Sequence, residues 1–239
     1  EKARDQFMPF VHHVYDGFIE GRHHRIIAEK LERVARGELK RLIVNMPPRH
    51  SKSEFASYLM PAWFLGRNPK LKIIQATHNT ELAVRFGRKV RDLIDTPDFH
   101  TIFPDTGLKA DDKAAGRWGT SAGGEYFAAG VGAAMTGRGA DLLIIDDPHS
   151  EQDALSSTAF DHAFEWYTSG PRQRLQPGGA IIIVMTRWGM KDLTGQVLKM
   201  QGSDQMADEW EVVEFPAILP SDKPLWPEFW NRDDLIKVK

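Results

Sequence analysis

Apolar residues in this chain gather in short uninterrupted runs separated by stretches of helical period. Residues 41–46 (RLIVNM), 71–77 (LKIIQAT), 141–146 (DLLIID) and 180–188 (AIIIVMTRW) lack the alternation of a half-solvated strand. They read as strands buried on both faces, as in a parallel sheet covered by helices. Between them the spacing changes. Ile27, Leu31 and Val34 share one face of a helix over 24–36, with Arg33 and Arg36 in its last turn and Gly37 just beyond. Leu82, Phe86, Val90 and Leu93 form an apolar stripe over 80–96. Further helices are expected from about Ser53, kinked by Pro61, and over about 152–168. Residues 97–124 look irregular, with a hairpin in GRWGTSAGGEYFAAG whose second arm is a strand. Past residue 189 the pattern predicts a short helix, a strand at 210–215 and a Pro/Trp-rich tail. Alternating strands and helices define an α/β fold with a mostly parallel central sheet flanked by helices.

Composition narrows this only slightly. The chain has 239 residues, 41% of them hydrophobic and 27% charged, enough for one substantial core with a small appended subdomain. There is no cysteine, so disulfides and thiolate metal sites are excluded. No apolar run approaches the ~18 residues of a membrane-spanning helix. A net charge of −2 argues against a uniformly basic, nucleic-acid-coating surface. Arg85, Arg88 and Lys89 share a second face of the 80–96 helix, which suits a solvated surface, a DNA-tracking surface or a subunit contact. The pairs His12–His13 and His23–His24 lack the spacing and acidic partner of a zinc site.

Candidate chemistry lies at the C-terminal ends of the predicted strands, where open α/β sheets bind ligands. After the first strand, LIVNMPPRHSKS approximates the phosphate-loop pattern GxxxxGK[ST]: Lys52 and Ser53 hold the last two places, while Met46 and Ser51 replace the glycines. Pro48, Arg49, His50 and Ser51 form the rest of the loop, whose amides at a helix N-terminus suit phosphate oxygens. Lys52 suits the β/γ oxygens, and Ser53 a Mg²⁺ ion. DLLIIDDP ends in Asp146 and Asp147, costly to desolvate unless they hold a cation or activate water. Asp146 suits the metal and Asp147 the attacking water. Asp-Asp-Pro is also simply a good turn. The last strand ends in Thr186, Arg187 and Trp188, either a sensor of bound ligand or a capped sheet edge.

PPRHSKS, GRGADLLIIDDP and MTRW, in that order and with the upstream segment HHRIIAEKLERVARGELKRLIVNMPPR, resemble the ATPase domain of the large terminase subunit of tailed bacteriophages over about residues 20–230. The resemblance implies a P-loop NTPase of the additional-strand (ASCE, RecA-like) type. Residues 1–188 would be the ATPase core with an N-terminal helical segment. Residues 189–239 would be a small C-terminal lid subdomain and the start of a linker to a nuclease domain. Implied function is a DNA-packaging motor that uses ATP and Mg²⁺ to thread double-stranded DNA into a procapsid. Implied partners are the portal protein, the small terminase subunit and further copies of the chain in a pentameric ring. Its place would be the host cytoplasm, transiently at the procapsid portal, with no membrane.

Carried over residue by residue, Arg49 resembles the loop arginine held to contact the γ-phosphate in cis. Arg138, between two glycines ahead of the second motif strand, resembles a trans-acting arginine finger, though a glycine-rich turn explains the same residues. Thr186, Arg187 and Trp188 match the coupling motif. His24, beside Arg25, stands where relatives keep an adenine-reading glutamine. Asp147 departs from the family's Glu and is one methylene shorter, so Glu151 or Glu165 could assist. A helicase-like or recombination-type DNA-dependent ATPase would use the same core, but should add a second RecA-like domain or strand-separating motifs. A noncatalytic nucleotide-binding scaffold would not need the carboxylates or Arg138.

Overall fold

The computed structural model describes residues 1–135 and 137–238, leaving Thr136 and Lys239 outside. One sheet contains β1 (Arg41–Asn45), β2 (Lys72–Thr77), β3 (Leu108–Ala114), β4 (Arg117–Thr120), β5 (Glu125–Gly130), β6 (Ala140–Asp146), β7 (Leu175–Met185) and β8 (Glu211–Glu214). Their spatial order is β3-β4-β5-β2-β6-β7-β1-β8. From β5 to β8 every neighbouring pair is parallel, while β3 and β4 add antiparallel pairing at one edge. β7 therefore lies between β1 and β6, the additional strand of an ASCE-type P-loop fold.

The buried runs divide their side chains between two layers, because successive residues of a strand point to opposite faces. Leu42, Val44, Leu142, Ile144, Ile182 and Val184 face the larger layer. It contains α2 (Phe7–Val14), α3 (Arg22–Ala35), α4 (Met60–Arg67), α5 (Thr80–Ile94) and α6 (Pro97–Ile102), with the short α1 (Lys2–Asp5) beside them. Ile43, Leu143, Ile145, Ile181 and Ile183 face α7 (Ser157–Ser169) and α8 (Leu193–Ser203). With helices on both sides, alternation would leave polar groups in the core, so the strands read as solid apolar runs.

Pro61 acts differently from the expected kink. Lacking an N–H, it cannot close an α-helical bond, and the preceding Glu54–Leu59 stretch is π-helical, with the Met60 amide donating five residues back to the Phe55 carbonyl. On α5, Phe86, Val90 and Leu93 are buried as the stripe predicts, and Arg85 and Arg88 are exposed. Lys89 turns aside, its Nζ 3.0 Å from Glu54 and 4.4 Å from the centre of the Tyr58 ring. The stretch 97–124, expected to be irregular apart from a hairpin, contains α6 and β3 as well, and β4 with β5 forms the expected hairpin. Trp118 stacks on Tyr126 at 4.8 Å and donates through Nε1 to the Gly87 carbonyl at 3.0 Å, tying this edge to α5. β8 of the C-terminal segment joins β1 in the main sheet, and α9 (Arg232–Lys237) follows the Trp-rich tail.

Candidate active site

β1 delivers the loop to the C-terminal edge of the sheet, where Met46 N donates to the Met185 carbonyl at 3.0 Å. The chain then turns through two non-glycine residues of positive φ, Arg49 (60°) and Ser51 (69°). Ser51 stands where the pattern has its second glycine and adopts the left-handed backbone glycine would take without strain. The helix begins immediately afterwards, so its first N–H groups have no intrahelical acceptor and form an anion-ready turn.

Across from this turn, β6 ends in the two aspartates. Asp146 is buried; Ser53 Oγ donates to its Oδ1 at 3.0 Å and Ser57 Oγ to its Oδ2 at 2.7 Å. Burial, with the Asp147 carboxylate adjacent, pushes Asp146 up to about 7. Asp147 also has positive φ, 42°. Its Oδ2 lies 2.8 Å from Lys52 Nζ, its Oδ1 accepts from Thr186 N at 2.8 Å, and its carbonyl accepts from His78 N at 3.2 Å. One residue thus joins the loop and the ends of β2 and β7. A cleft of about 650 Å³ opens here, lined by Pro48, Lys52, His78, Asn79, Asp147, His149, Ser150, Glu151, Gln152, Thr186 and Trp188.

Other predicted residues are placed differently. His24 is fully buried; its Nδ1 accepts from Gly21 N at 2.8 Å, and its ring stacks on Phe55 at 5.0 Å and meets Trp226 edge-on. An enclosed ring of this kind offers no edge to a base. Burial pushes His24 down to about 3, with the neighbouring His23 adding to the effect. His50 turns inward as well, its Nδ1 2.8 Å from the Pro48 carbonyl and its ring stacked on Trp230 at 6.1 Å, leaving its backbone to the loop. Arg49 is exposed, and its guanidinium has no partner among the described residues.

Thr186 stays at the cleft, its hydroxyl 3.4 Å from the Met46 carbonyl, and Trp188 lines the cleft's far side. Arg187 points toward α8: its Nε donates to Asp192 at 2.9 Å, and Glu214 lies 3.7 Å away. Asp192, fully buried, caps α8 by accepting from Gly195 N at 2.9 Å and also accepts from Trp188 N. Arg138 lies two residues before β6, at the opposite end of the sheet from Asp146. The seven residues of that strand cover about 20 Å, beyond the side chain's reach to its own cleft. Glu151 lines the cleft, whereas Glu165 is exposed on α7.

Several contributors escaped the sequence reading. Ser57 carried a faint signal, one helical turn after Ser53. His78 and His149 had none, since sheet order alone brings them here; His149 Nε2 accepts from Leu193 N at 2.9 Å, linking the acidic loop to α8. Asn45 does the same for β1, accepting from the Thr194 hydroxyl at 3.1 Å.

A hydroxyl and a carboxylate side by side suit a hard divalent cation, and a lysine beside free helix amides suits a polyphosphate. Together with β7 between β1 and β6, these features give the topology of a P-loop NTPase fold, with the loop and the two aspartates on one edge of the sheet. Solved structures extend the comparison. The chain matches the crystal structure of the HK97 bacteriophage large terminase with a TM-score of 0.55 and 13% identity, over 98% of this chain and 48% of that one. It matches an arginine-to-alanine mutant of the Thermus phage P74-26 large terminase ATPase domain with a TM-score of 0.57 and 15% identity, over 96% of this chain and 90% of that one. The fold is thus that of large terminase ATPase domains, and the chain spans about half the length of the HK97 protein. No family model and no curated protein matches the sequence. No helix among the described residues is long and apolar enough to cross a membrane.

Proposed function

We propose that this chain is the ATPase domain of a large terminase, a motor that hydrolyses ATP to drive double-stranded DNA into a procapsid. The observation that carries the reading is the meeting of Ser53 with Asp146 at 3.0 Å and Lys52 with Asp147 at 2.8 Å, on one edge of an ASCE-type sheet. The loop amides and Lys52 bind the triphosphate. Lys52 leaves Asp147 for the phosphate oxygens, and the freed carboxylate orients the attacking water. Ser53 and Asp146 would hold a magnesium ion, which would supply neutralisation of the charge on the triphosphate. Arg49, exposed and with no side-chain partner among the described residues, serves the γ-phosphate of its own site. Arg138, too far from that site, serves a neighbouring subunit's, which requires a ring.

Thr186, Arg187 and Trp188 transmit the nucleotide state to α8, since Thr186 binds Asp147 and Arg187 binds the α8 cap. Residues 189–239 act as the lid that responds, apart from β8, which is fixed to β1 in the main sheet. In this reading the ring is pentameric and seated on the portal protein in the host cytoplasm, with the small terminase subunit supplying DNA. Magnesium-dependent ATP turnover tests the chemistry: Lys52→Ala abolishes it and Arg138→Ala slows it by ~10³-fold. Turnover unchanged by Lys52→Ala would remove the assignment.

A further inference from the structure

Arg138 is engaged within its own chain. Its Nη1 lies 2.6 Å from Glu125 Oε1, and its guanidinium carbon lies 4.0 Å from the centre of the Phe127 ring. Glu125 and Phe127 are two apart on β5, so both point to the same face and form a bed for a planar cation, carboxylate at one end and ring beneath. Gly137 has φ 75° and open space around it, so the backbone carrying Arg138 has room to swing. A second cation waits at the same carboxylate. Arg117, on β4 opposite Phe127, is more than half exposed and has its Nε 3.9 Å from the Glu125 oxygen that Arg138 holds.

We infer that Glu125 is a positioning residue that parks Arg138 in the free subunit, and that Arg117 takes over Glu125 when Arg138 swings out to a second copy of this chain. This rests on the reading of Arg138 as a trans-acting residue. The exchange leaves Glu125 paired in both states, so withdrawal of the finger costs little and the two positions are close in energy. Parking keeps a lone subunit from offering its arginine to solvent anions, and a neighbour's bound triphosphate, a stronger anion than one carboxylate, pulls it free.

Mixed-subunit assays separate the possibilities. Lys52→Ala chains have no working site but an intact finger; Arg138→Ala chains have the reverse. Mixed, they recover part of the wild-type ATP turnover. Adding Glu125→Gln to the Lys52→Ala chains raises that recovery roughly two- to fivefold, the scale of one partly exposed ion pair. The same change on the Arg138→Ala chains, which have no finger to release, leaves it unaltered. Arg117→Ala on the finger donors lowers recovery, and Glu125→Asp restores parking. Thermal melting of each variant confirms folding. Recovery that rises equally whichever chain carries Glu125→Gln, or in neither, overturns the parking role while leaving the shared site standing. Full activity of Arg138→Ala alone removes the finger reading and the inference with it.

Discussion

Three non-glycine residues at this edge, Arg49, Ser51 and Asp147, hold positive φ, a conformation that disfavours side chains and gathers where function over-determines the backbone. Ser51 separates strain from chemistry. Replacing it with glycine removes a penalty of about 1–2 kcal/mol and adds an entropic one of roughly half that, so Ser51→Gly raises stability by up to ~1 kcal/mol. Ser51→Val, β-branched in the same place, lowers it. Urea unfolding reads both, and equal losses would mean the loop relaxes out of this conformation. Asp147→Asn keeps the shape but removes the charge that faces Lys52; it lowers kcat by ~10²–10⁴-fold with nucleotide still bound. Retained kcat would move the base to Glu151, which lines the same cleft. At this scale Lys52, Ser53, Asp146 and Asp147 were legible because each sits at a fixed offset from a buried strand. Ser57, His78 and His149 were not, because no local pattern tells which strand ends become neighbours.

Among the elements, α3, the loop and the aromatic tail meet at His23, His24, His50 and Trp226, all buried. His23 Nδ1 and Nε2, His24 Nε2, His50 Nε2 and Trp226 Nε1 lack partners among the described residues. Burial pushes His23 down to about 4 and His24 to about 3, and His50 downward as well. Each folded-state value lies below the ordinary 6.5, so the neutral rings belong to the folded chain. The unfolded chain takes up protons first, and their contribution, complete above about pH 6.5, is lost as pH falls toward 4. Their share of the melting temperature therefore drops through that window, against an opposite contribution from Asp146, which is held up at about 7. His24→Gln, which keeps an acceptor for Gly21 N, makes the drop shallower; an unchanged slope would mean these rings do not titrate on unfolding. The strands of this layer were plain in the sequence because solid apolar runs have no other stable home. β3 and α6 were not, since LKADDKA is polar and PDFHTI short, whereas the β4–β5 hairpin was announced by its glycine-rich turn. His24 shows the converse: its separation from the loop suggested a base reader, while packing against Phe55 and Trp226 makes it part of the core.

The whole molecule places the loop and the two aspartates at one end of the sheet, after β1 and β6, and Arg138 at the other, before β6. On the proposed function a lone chain has an incomplete site. Specific ATP turnover rises with chain concentration and falls steeply on dilution; a rate per chain that is flat over the whole range would show each site to be self-sufficient. The proposed hydrolysis depends most on the triphosphate lying between the Ser53 turn and Asp146, with Lys52 released from Asp147 to hold it. Calorimetric titration with a slowly hydrolysed ATP analogue and magnesium tests this directly. The chain binds with saturation, and Lys52→Ala weakens binding by at least ~10-fold, the loss of one charge-assisted contact; equal affinity in the two proteins would contradict it.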